Sequence, residues 1–507
     1  MTPLSSRQGR HKYFTLYDPI WFRSPLRNFR VQWLRLCSEE PVGYQLTPEV
    51  VRGTRDLFAA AVHQRQALIQ TLTATFDQAG YDPIELPLLE HRELYLKKSG
   101  DDLIAKLYHW NQGGRDLALR PEWTASVLRA VISGMGDAPI PLRLRYAGPV
   151  FRYERPRRAT YRQFTQVGIE LIGAPGPLAD AEALGLAVTG LRELGIQQWT
   201  LTIGHIGVIK TLLNSLGLPE RITSALTWSL ERIRSKGLDA VKQQWRDDDD
   251  DLPVDLASLA HLADQDLETL LLRVLPSLGV RLDSGGREPQ AIIQRLVRKL
   301  RRGDDALNLD RAWQLLSALT AARGSAPDVM QQMRELCQEY TVAPDALDEL
   351  QTTLTLLEAY GVPADQIVLD FGMGRGLHYY TGLIFEIDGA DGLQLCGGGR
   401  YDDLVAALGG RAMPAVGFAY GLERIVAAVA PAEIAPVKSV LVVGDDHGLV
   451  IQAAAALRQQ GYRTAVDLRQ RSYAANLNDA RRREMSHLAL VSVDGIQLRD
   501  LNEQKPQ

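Results

Sequence analysis

The fold is decided by one stretch of the sequence, LRLRYAGPVFRYERPRRATYRQFTQVGIELI, which spans residues 142–172. Apolar and polar residues alternate in its first part, up to Glu154, and again from Tyr161 to Ile172, as in half-buried strands. The intervening residues, 155–160, include three arginines and a proline. The stretch therefore predicts a long antiparallel hairpin with a basic tip.

Charged and aromatic side chains recur on strands that would otherwise bury apolar groups. They lie in residues 119–124, 151–154, 163–170 and 374–380. Such charges are costly to bury unless paired, and together they suit a zwitterionic or phosphorylated small molecule. The candidate contacts are Glu122 and Glu170 for an ammonium, Arg152, Arg375 and Arg424 for carboxylate or phosphate oxygens, and Phe164 as a stacking face. The alternative is a set of ion pairs that only tie a sheet together, and the residues alone leave both interpretations open.

Changes of periodicity along the chain predict an α+β protein of several parts. Residues 206–360 are leucine-rich and helically periodic, whereas short apolar strands alternate with helices after Pro436. The run Asp247–Asp251 is expected to be a solvated loop and not a metal site, because a calcium loop spaces its carboxylates. The predicted parts are a flexible N-terminal arm (1–43), a core in two pieces (44–205 and 361–432), a helical insertion (206–360) and a small C-terminal α/β domain (437–507).

The composition excludes several classes of protein. The 507 residues carry 57 Lys and Arg against 61 Asp and Glu, so nucleic acid is not held by bulk charge. The three cysteines form no C-x-x-C pair, which supports neither a disulfide framework nor a cysteine zinc site. There is no long apolar run and no signal-peptide pattern. We therefore expect a cytoplasmic protein that does not cross a membrane.

Taken together, these segments resemble the histidyl-tRNA synthetase family of class II synthetase-like folds. Residues 151–156 are similar to the second class II motif, residues 421–424 to the third, and the Pro87 region to the first, which forms the family's dimer interface. Residues 375–380 resemble the histidine-specific signature. The resemblance implies a core of antiparallel sheet with flanking helices. It also implies a truncated anticodon-binding-like C-terminal domain that lacks the closing strand and helix after Asp494.

The resemblance further implies a histidine pocket with an ATP side. The implied histidine contacts are Glu122, Thr124, Arg152, Gln166, Glu170, Arg375, Tyr379 and Tyr380, with Tyr401 lining the same pocket. Glu154, Phe164 and Arg424 match the ATP side. This pocket is largely intact in the sequence, which keeps an active enzyme among the possible interpretations.

Departures from the synthetase pattern point to another branch of the family. An arginine expected near the ATP phosphates is Thr160, and loss of such a contact can cost several kcal/mol of transition-state stabilisation. The usual aspartate of the histidine signature is His378, and the usually small residue after Arg-Pro-Glu is Trp123. The residues that follow Glu170 and Tyr401 look more like the regulatory branch. We therefore predict the regulatory subunit of ATP phosphoribosyltransferase, without catalytic activity of its own.

This hypothesis implies particular partners. Histidine would bind the pocket and regulate a short-form ATP phosphoribosyltransferase catalytic subunit, at the first step of histidine biosynthesis, within a hetero-oligomer built on a homodimer. It requires no cofactor, no metal and no catalytic residue. The alternative is an active histidine–tRNA ligase that uses ATP and Mg²⁺ and charges tRNA. In that case Glu122 and Glu170 hold the substrate, while Arg152, Arg375 and Arg424 stabilise the phosphorane.

Overall fold

The computed structural model of the chain describes residues 49–96, 101–247, 264–277, 293, 306–374, 379–429 and 438–501. The chain divides into two compact units, residues 1–51 and 52–507, and the described residues belong almost entirely to the second. Several predicted features lie outside the described residues. They are the N-terminal arm (1–43), the aspartates at 248–251, and Arg375 and His378 of the predicted histidine-specific signature.

Short strands alternate with helices through most of the described chain. The strands are β1 (Asp82–Pro83), β2 (Leu89–His91), β3 (His109–Gln112), β4 (Arg115–Leu119), β5 (Leu142–Phe151), β6 (Gln163–Ile172), β7 (Trp199–His205), β8 (Arg323–Gly324), β9 (Ile367–Asp370), β10 (Leu383–Gly389), β11 (Gln394–Arg400), β12 (Ala415–Gly421), β13 (Ser439–Val443), β14 (Arg463–Val466), β15 (His487–Ser492) and β16 (Gly495–Asp500). The helices are α1 (Ala59–Gln78), α2 (Glu93–Leu96), α3 (Asp101–Ala105), α4 (Thr124–Gly134), α5 (Pro177–Glu193), α6 (Ile206–Asn214), α7 (Glu220–Lys236), α8 (Leu238–Asp247), α9 (Asp264–Ser277), α10 (Ala306–Ala321), α11 (Ala326–Glu339), α12 (Asp345–Ala359), α13 (Leu404–Ala407), α14 (Leu422–Ala428), α15 (His447–Gln459) and α16 (Tyr473–Arg482).

The largest sheet has nine strands in the order β1-β5-β6-β12-β11-β10-β7-β9-β8. Its neighbours pair antiparallel except for β1 with β5 and β7 with β9. A separate three-stranded sheet, β2-β4-β3, precedes helix α4. The predicted α+β fold, a mainly antiparallel sheet with flanking helices, is confirmed.

The hairpin predicted from residues 142–172 forms the β5–β6 pair. Its register runs without interruption from Leu142 opposite Ile172 to Phe151 opposite Gln163. Side chains alternate between the two faces of a strand. Arg143 and Arg145 therefore lie on one face, where they pair with acidic residues of α5 and α1, while Tyr146 lies on the other.

Helices α1 and α5 cover one face of the large sheet. Phe76 of α1 packs edge-on against Phe418 of β12, with ring centroids 5.8 Å apart. Tyr420, two residues further along the same strand, donates a hydrogen bond of 2.6 Å to the carbonyl oxygen of Ala187 on α5. Because alternate residues face opposite ways, Gly417 and Ala419 point to the other face, which carries the site described below.

The helical insertion follows β7 as predicted, but it ends earlier than expected. Helices α6 to α10 are succeeded by β8, which pairs with β9 and so returns the chain to the large sheet. Helices α11 and α12 then pack beside the sheet, α11 against β9 and α12 against α5. The insertion helices and helices α11 and α12 have the same helical periodicity, so the sequence could not show that the chain returns to the large sheet at Arg323. None of the described helices is both long and apolar enough to cross a membrane.

The C-terminal part forms a four-stranded sheet in the order β14-β13-β15-β16. The first three strands are parallel, as the alternation of strands and helices predicted, and Val440 and Ala489 lie buried beneath α15. Strand β16 differs from the expectation, because it adds an antiparallel partner for β15 after Asp494, where no closing strand was expected. The polar composition of residues 495–500 had concealed it, since four of these six residues are solvent-exposed.

Candidate active site

Glu122 lies just before helix α4 and is almost fully buried, with 4% of its surface exposed. Its two carboxylate oxygens lie 3.0 and 3.3 Å from the backbone nitrogen of Ala125, which donates to them. A carboxylate at this position is favoured by the partial positive charge of a helix N-terminus. Burial raises the pKa of Glu122, and the hydrogen bond from Ala125 and the charge of Arg152 oppose that rise.

Glu170, on β6, is the second buried carboxylate, with 1% of its surface exposed. It accepts hydrogen bonds from three hydroxyls: Thr124 at 2.7 Å, Tyr146 at 3.1 Å, and Tyr401 in a short contact. Burial raises its pKa to about 8, and the charge of Glu122 acts in the same direction. A cation nearby would therefore favour the ionised form of Glu170, which accepts hydrogen bonds.

Gly417 provides the room that the Glu170 carboxylate occupies. It pairs with Glu170 across β12 and β6, and a β-carbon in its place would lie 1.9 Å from Glu170 Oε2. That distance is far below van der Waals contact. Any other residue at position 417 would displace the carboxylate, so this glycine is required by the site.

Arg152 follows β5 directly, and its positive charge acts on Glu122. Its Nε donates to the carbonyl oxygen of Pro121 at 2.8 Å, and its guanidinium lies 5.2 Å from the ring centroid of Phe164. Burial lowers its pKa, while the charges of Glu154 and Glu122 oppose that change. A half-buried guanidinium held by a carbonyl and a ring has remaining N–H groups for an anionic ligand.

Two adjoining cavities open on this face of the sheet. The first has a volume of about 290 Å³ and reaches Glu122 and Tyr401, and the second has about 110 Å³ and reaches Phe164 and Thr160. Both are lined by Arg152, Glu154, Gln166, Gln394, Gly397, Ala419 and Arg424. Two ligand groups, one in each cavity, would therefore meet beside Arg152 and Arg424.

The structure brings most of the predicted site residues together. Those in the wall of the first cavity are Glu122, Thr124, Arg152, Gln166, Tyr379, Tyr380 and Tyr401. Glu170 lies immediately behind this wall, held by three hydroxyls of lining residues. Those predicted for the ATP side, Glu154, Phe164 and Arg424, all line the second cavity. Arg375 and His378 lie outside the described residues.

Several lining residues were not predicted from the sequence. Tyr146 faces the first cavity from β5, and Lys106, Glu231 and Glu386 also line it. Gln394 lines both cavities and accepts two hydrogen bonds from Arg424 Nη1, through its backbone oxygen at 2.9 Å and its side-chain oxygen at 3.1 Å. For Tyr146 the sequence held a signal, because side chains alternate along β5 and Tyr146 falls on the face of the sheet that carries the site. For Glu231, on insertion helix α7, there was none.

The basic hairpin tip does not fill the place of the missing arginine. Thr160 and Tyr161 line the second cavity, whereas Arg155, Arg157 and Arg158 do not. Arg158 instead pairs with Asp391, in the turn between β10 and β11, at 2.9 Å. The cations that line the two cavities in the described part of the chain are Lys106, Arg152 and Arg424.

This sheet, with buried carboxylates and arginines on one face and helices on the other, defines a class II aminoacyl-tRNA synthetase-like protein. Solved structures share the fold. A structure described as an ATP phosphoribosyltransferase regulatory subunit/histidyl-tRNA synthetase from Bacillus halodurans has a TM-score of 0.62 at 23% identity, covering 85% of this chain and 96% of its own. Histidyl-tRNA synthetase from Nostoc has a TM-score of 0.60 at 20% identity, covering 90% and 95%.

The sequence comparisons are more specific than the fold. The model of the histidyl-tRNA synthetase family matches residues 53–425. The histidine–tRNA ligase of Methanocaldococcus jannaschii is 32% identical over 376 residues, 74% of each chain. That of Archaeoglobus fulgidus is 30% identical over 453 residues, covering 88% of this chain and 92% of the relative. The chain belongs to the histidyl-tRNA synthetase family.

These comparisons show that our prediction of a non-catalytic regulatory subunit was wrong. The curated relatives from Methanocaldococcus, Methanococcus, Pyrococcus and Archaeoglobus are named histidine–tRNA ligases, which are enzymes. The comparisons give no support to a phosphoribosyltransferase partner, a hetero-oligomer or a role in histidine biosynthesis. The likeness to the Bacillus halodurans structure, at 23% identity, concerns the fold alone. The prediction failed because it weighted departures from the family pattern, at residues 123, 160 and 378 and after Glu170 and Tyr401, above a largely intact pocket.

Proposed function

We propose that this chain is a histidine–tRNA ligase, which joins histidine to AMP with release of pyrophosphate and then transfers the histidyl group to tRNA. The observation that carries the proposal is the meeting of the two cavities at Arg152 and Arg424. In adenylation a carboxylate oxygen of the amino acid attacks the α-phosphorus of ATP. The bond between that phosphorus and the pyrophosphate oxygen breaks, so the two substrates must meet where positive charge is available.

The first cavity suits histidine by its chemistry. Histidine has two N–H-bearing ends, the ammonium and the imidazole, and the site has two buried carboxylates, Glu122 and Glu170, to accept from them. The side-chain oxygen of Gln166 is buried, and no described protein group donates to it. Buried polar atoms normally have a partner, and a substrate N–H group would supply one. Arg152 would bind the substrate carboxylate in this arrangement.

The second cavity suits the nucleotide. Phe164 offers a ring face to the adenine, and Arg424, at the start of α14, is held by Gln394 with N–H groups left for phosphate. Negative charge develops on the oxygens of the α-phosphoryl group as the histidine carboxylate attacks. Arg152 and Arg424 would stabilise that charge without reorganisation, because the protein already holds both guanidinium groups in place.

Membership of the histidyl-tRNA synthetase family implies dependence on ATP and Mg²⁺. Among the described side chains, no group of three or more His, Cys, Asp or Glu converges on one point. Mg²⁺ does not require such a group, because it usually keeps several waters and is held by one or two carboxylates together with substrate phosphates. Glu154 and Glu386, which line the first cavity, are the carboxylates that would assist. The ion would neutralise phosphate charge.

The test is histidine-dependent exchange of labelled pyrophosphate into ATP, followed by charging of tRNA with labelled histidine. We expect exchange by the wild-type protein and a loss of about a hundredfold or more in R152Q, since removal of one preorganised donor has effects of that size. The matched control is R145Q, because Arg145 lies on β5, the strand that Arg152 directly follows, but pairs with Asp77 on the opposite face. Absence of histidine-dependent exchange from the folded wild-type protein would refute the proposal.

A further inference from the structure

Trp123 is a large buried side chain next to the site, although it does not line either cavity. It lies between Glu122 and Thr124 in sequence, and 2% of its surface is exposed. Its indole stacks on the ring of Tyr146, with centroids 4.7 Å apart and planes 7° from parallel. Tyr146 does line the first cavity. The indole is therefore one layer behind the predicted substrate.

Arg120 covers the indole as well. Its guanidinium carbon lies 3.5 Å from the indole centroid, and the side chain is almost fully buried. At these distances Arg120 and Tyr146 cannot share one face of the indole, so Trp123 lies between them. Arg120 is fixed in turn by backbone carbonyls, donating from Nε to Pro149 at 2.9 Å and from Nη1 to Leu86 at 3.0 Å.

Gly148 shows how closely this stack is packed. A β-carbon at that position would lie 2.7 Å from Trp123 Cζ2 and 3.0 Å from Arg120 Nη2. Nε1 of Trp123 also points to the Gly148 carbonyl oxygen, at 3.4 Å. The strand therefore has no side chain where the indole lies, and a smaller residue at position 123 would leave a void beside Tyr146.

The stack ends at the substrate-binding carboxylate, because the Tyr146 hydroxyl donates to Glu170 Oε1 at 3.1 Å. We propose that Trp123 is a positioning residue for substrate binding, which holds the Tyr146 ring so that its hydroxyl donates to Glu170. The identity of the substrate, histidine, rests on the proposed function. Trp123 acts through Tyr146 and does not itself touch the substrate.

A double-mutant cycle on the full-length protein tests this inference, with histidine dissociation constants measured by calorimetry. Loss of a hydrogen bond to a charged group predicts histidine binding weaker by about tenfold to a hundredfold in Y146F, and in W123L to a similar degree. The double variant W123L/Y146F should bind histidine about as weakly as Y146F alone. W123F, which keeps a ring against Tyr146, should retain most of the affinity, and ATP binding should be unaffected throughout.

Independent effects of the two substitutions, whose fold-changes multiply in the double variant, would overturn the inference, because a merely structural tryptophan has no reason to depend on the Tyr146 hydroxyl. W199F is the matched control, since Trp199 is equally buried but lies on β7, outside both cavity walls. If W123L does not fold, G148A perturbs the same stack with Trp123 retained, and its effect should also vanish in the Y146F background.

A wild-type protein that neither binds nor activates histidine would refute the proposed function itself. Binding with multiplying effects would refute only the role of Trp123.

Discussion

Glu170→Gln should make the ligand-free protein more stable and should do so increasingly as the pH rises. Burial raises the pKa of Glu170 from 4.5 to about 8, so the folded protein binds a proton there that the unfolded chain has already released. A carboxyl whose pKa is raised by folding favours the fold fully below its unfolded pKa. That contribution is lost as the pH rises toward the folded pKa. Glutamine keeps the shape and does not titrate.

The magnitude follows from the two pKa values. Each pH unit between 4.5 and about 8 removes about 1.4 kcal/mol of stability from the wild type. The free energy of unfolding of E170Q, relative to wild type, should therefore rise by roughly 3 to 5 kcal/mol between about pH 5 and about pH 8.5. Above that range the difference should be constant. Histidine binding should be lost in the same variant, because a cationic group of the substrate favours the ionised form of Glu170, and glutamine cannot supply that charge.

Urea unfolding at several pH values, followed by circular dichroism, measures this difference. The matched control is Glu182→Gln, on the opposite face of the sheet. Burial acts to raise the pKa of Glu182, but hydrogen bonds from Arg143 and Tyr81 outweigh burial and lower it. The ionised carboxylate of Glu182 therefore stabilises the fold above the unfolded pKa, and this stabilisation is lost in acid. E182Q should thus destabilise the protein most at high pH, opposite in sign to E170Q. A pH-independent difference between E170Q and wild type would refute the reasoning about burial.

Three further predictions concern packing and charge at the site. G417A should lose most histidine affinity, because its β-carbon would lie 1.9 Å from Glu170 Oε2. G136A, whose β-carbon would meet nothing within 4 Å, is the control in the same calorimetric titration, and equal affinities of G417A and the wild type would contradict the prediction. T160R places a guanidinium in the wall of the second cavity and should lower the KM for ATP in pyrophosphate exchange by about tenfold, as expected for a charge-assisted phosphate contact; an unchanged or higher KM would argue against a phosphate position there. R400A removes the buried partner of two aspartates and should lower the free energy of urea unfolding by about 3 to 5 kcal/mol, because a buried carboxylate is left unpaired, and a loss below about 1 kcal/mol would count against this.

The large sheet could be anticipated from the sequence because its evidence is local. A period of two over residues 142–172 specifies which side chains share a face, so Gln166 and Glu170, four residues apart on β6, lie on the same face. Charged residues inside strands also marked the site, since burial of unpaired charge is costly. Helical periodicity was less informative. It could not distinguish the insertion from α11 and α12, which pack on the sheet after Arg323.

The choice between branches of the family failed for a different physical reason. A departure such as Trp123 was read as a loss, yet its bulk is accommodated by Gly148 on the neighbouring strand and covered by Arg120. Thr160 was read as the loss of a phosphate contact needed for adenylation, although Arg152 and Arg424 line the same cavity. The effect of one residue depends on neighbours in space, and no spacing in the sequence reveals which neighbours those are.

The sequence by itself determined the hairpin, the mainly antiparallel core and the small C-terminal α/β sheet, because alternation and helical period are properties of consecutive residues. The candidate site residues came instead from charges within strands and from the family resemblance. Only the tertiary structure decided that Gly417 makes room for the Glu170 carboxylate, that two cavities meet at Arg152 and Arg424, and that Tyr146 is stacked behind the pocket. These contacts join residues far apart in the chain. Their energies and pKa values come from burial, which exists only once the sheet and helices have packed.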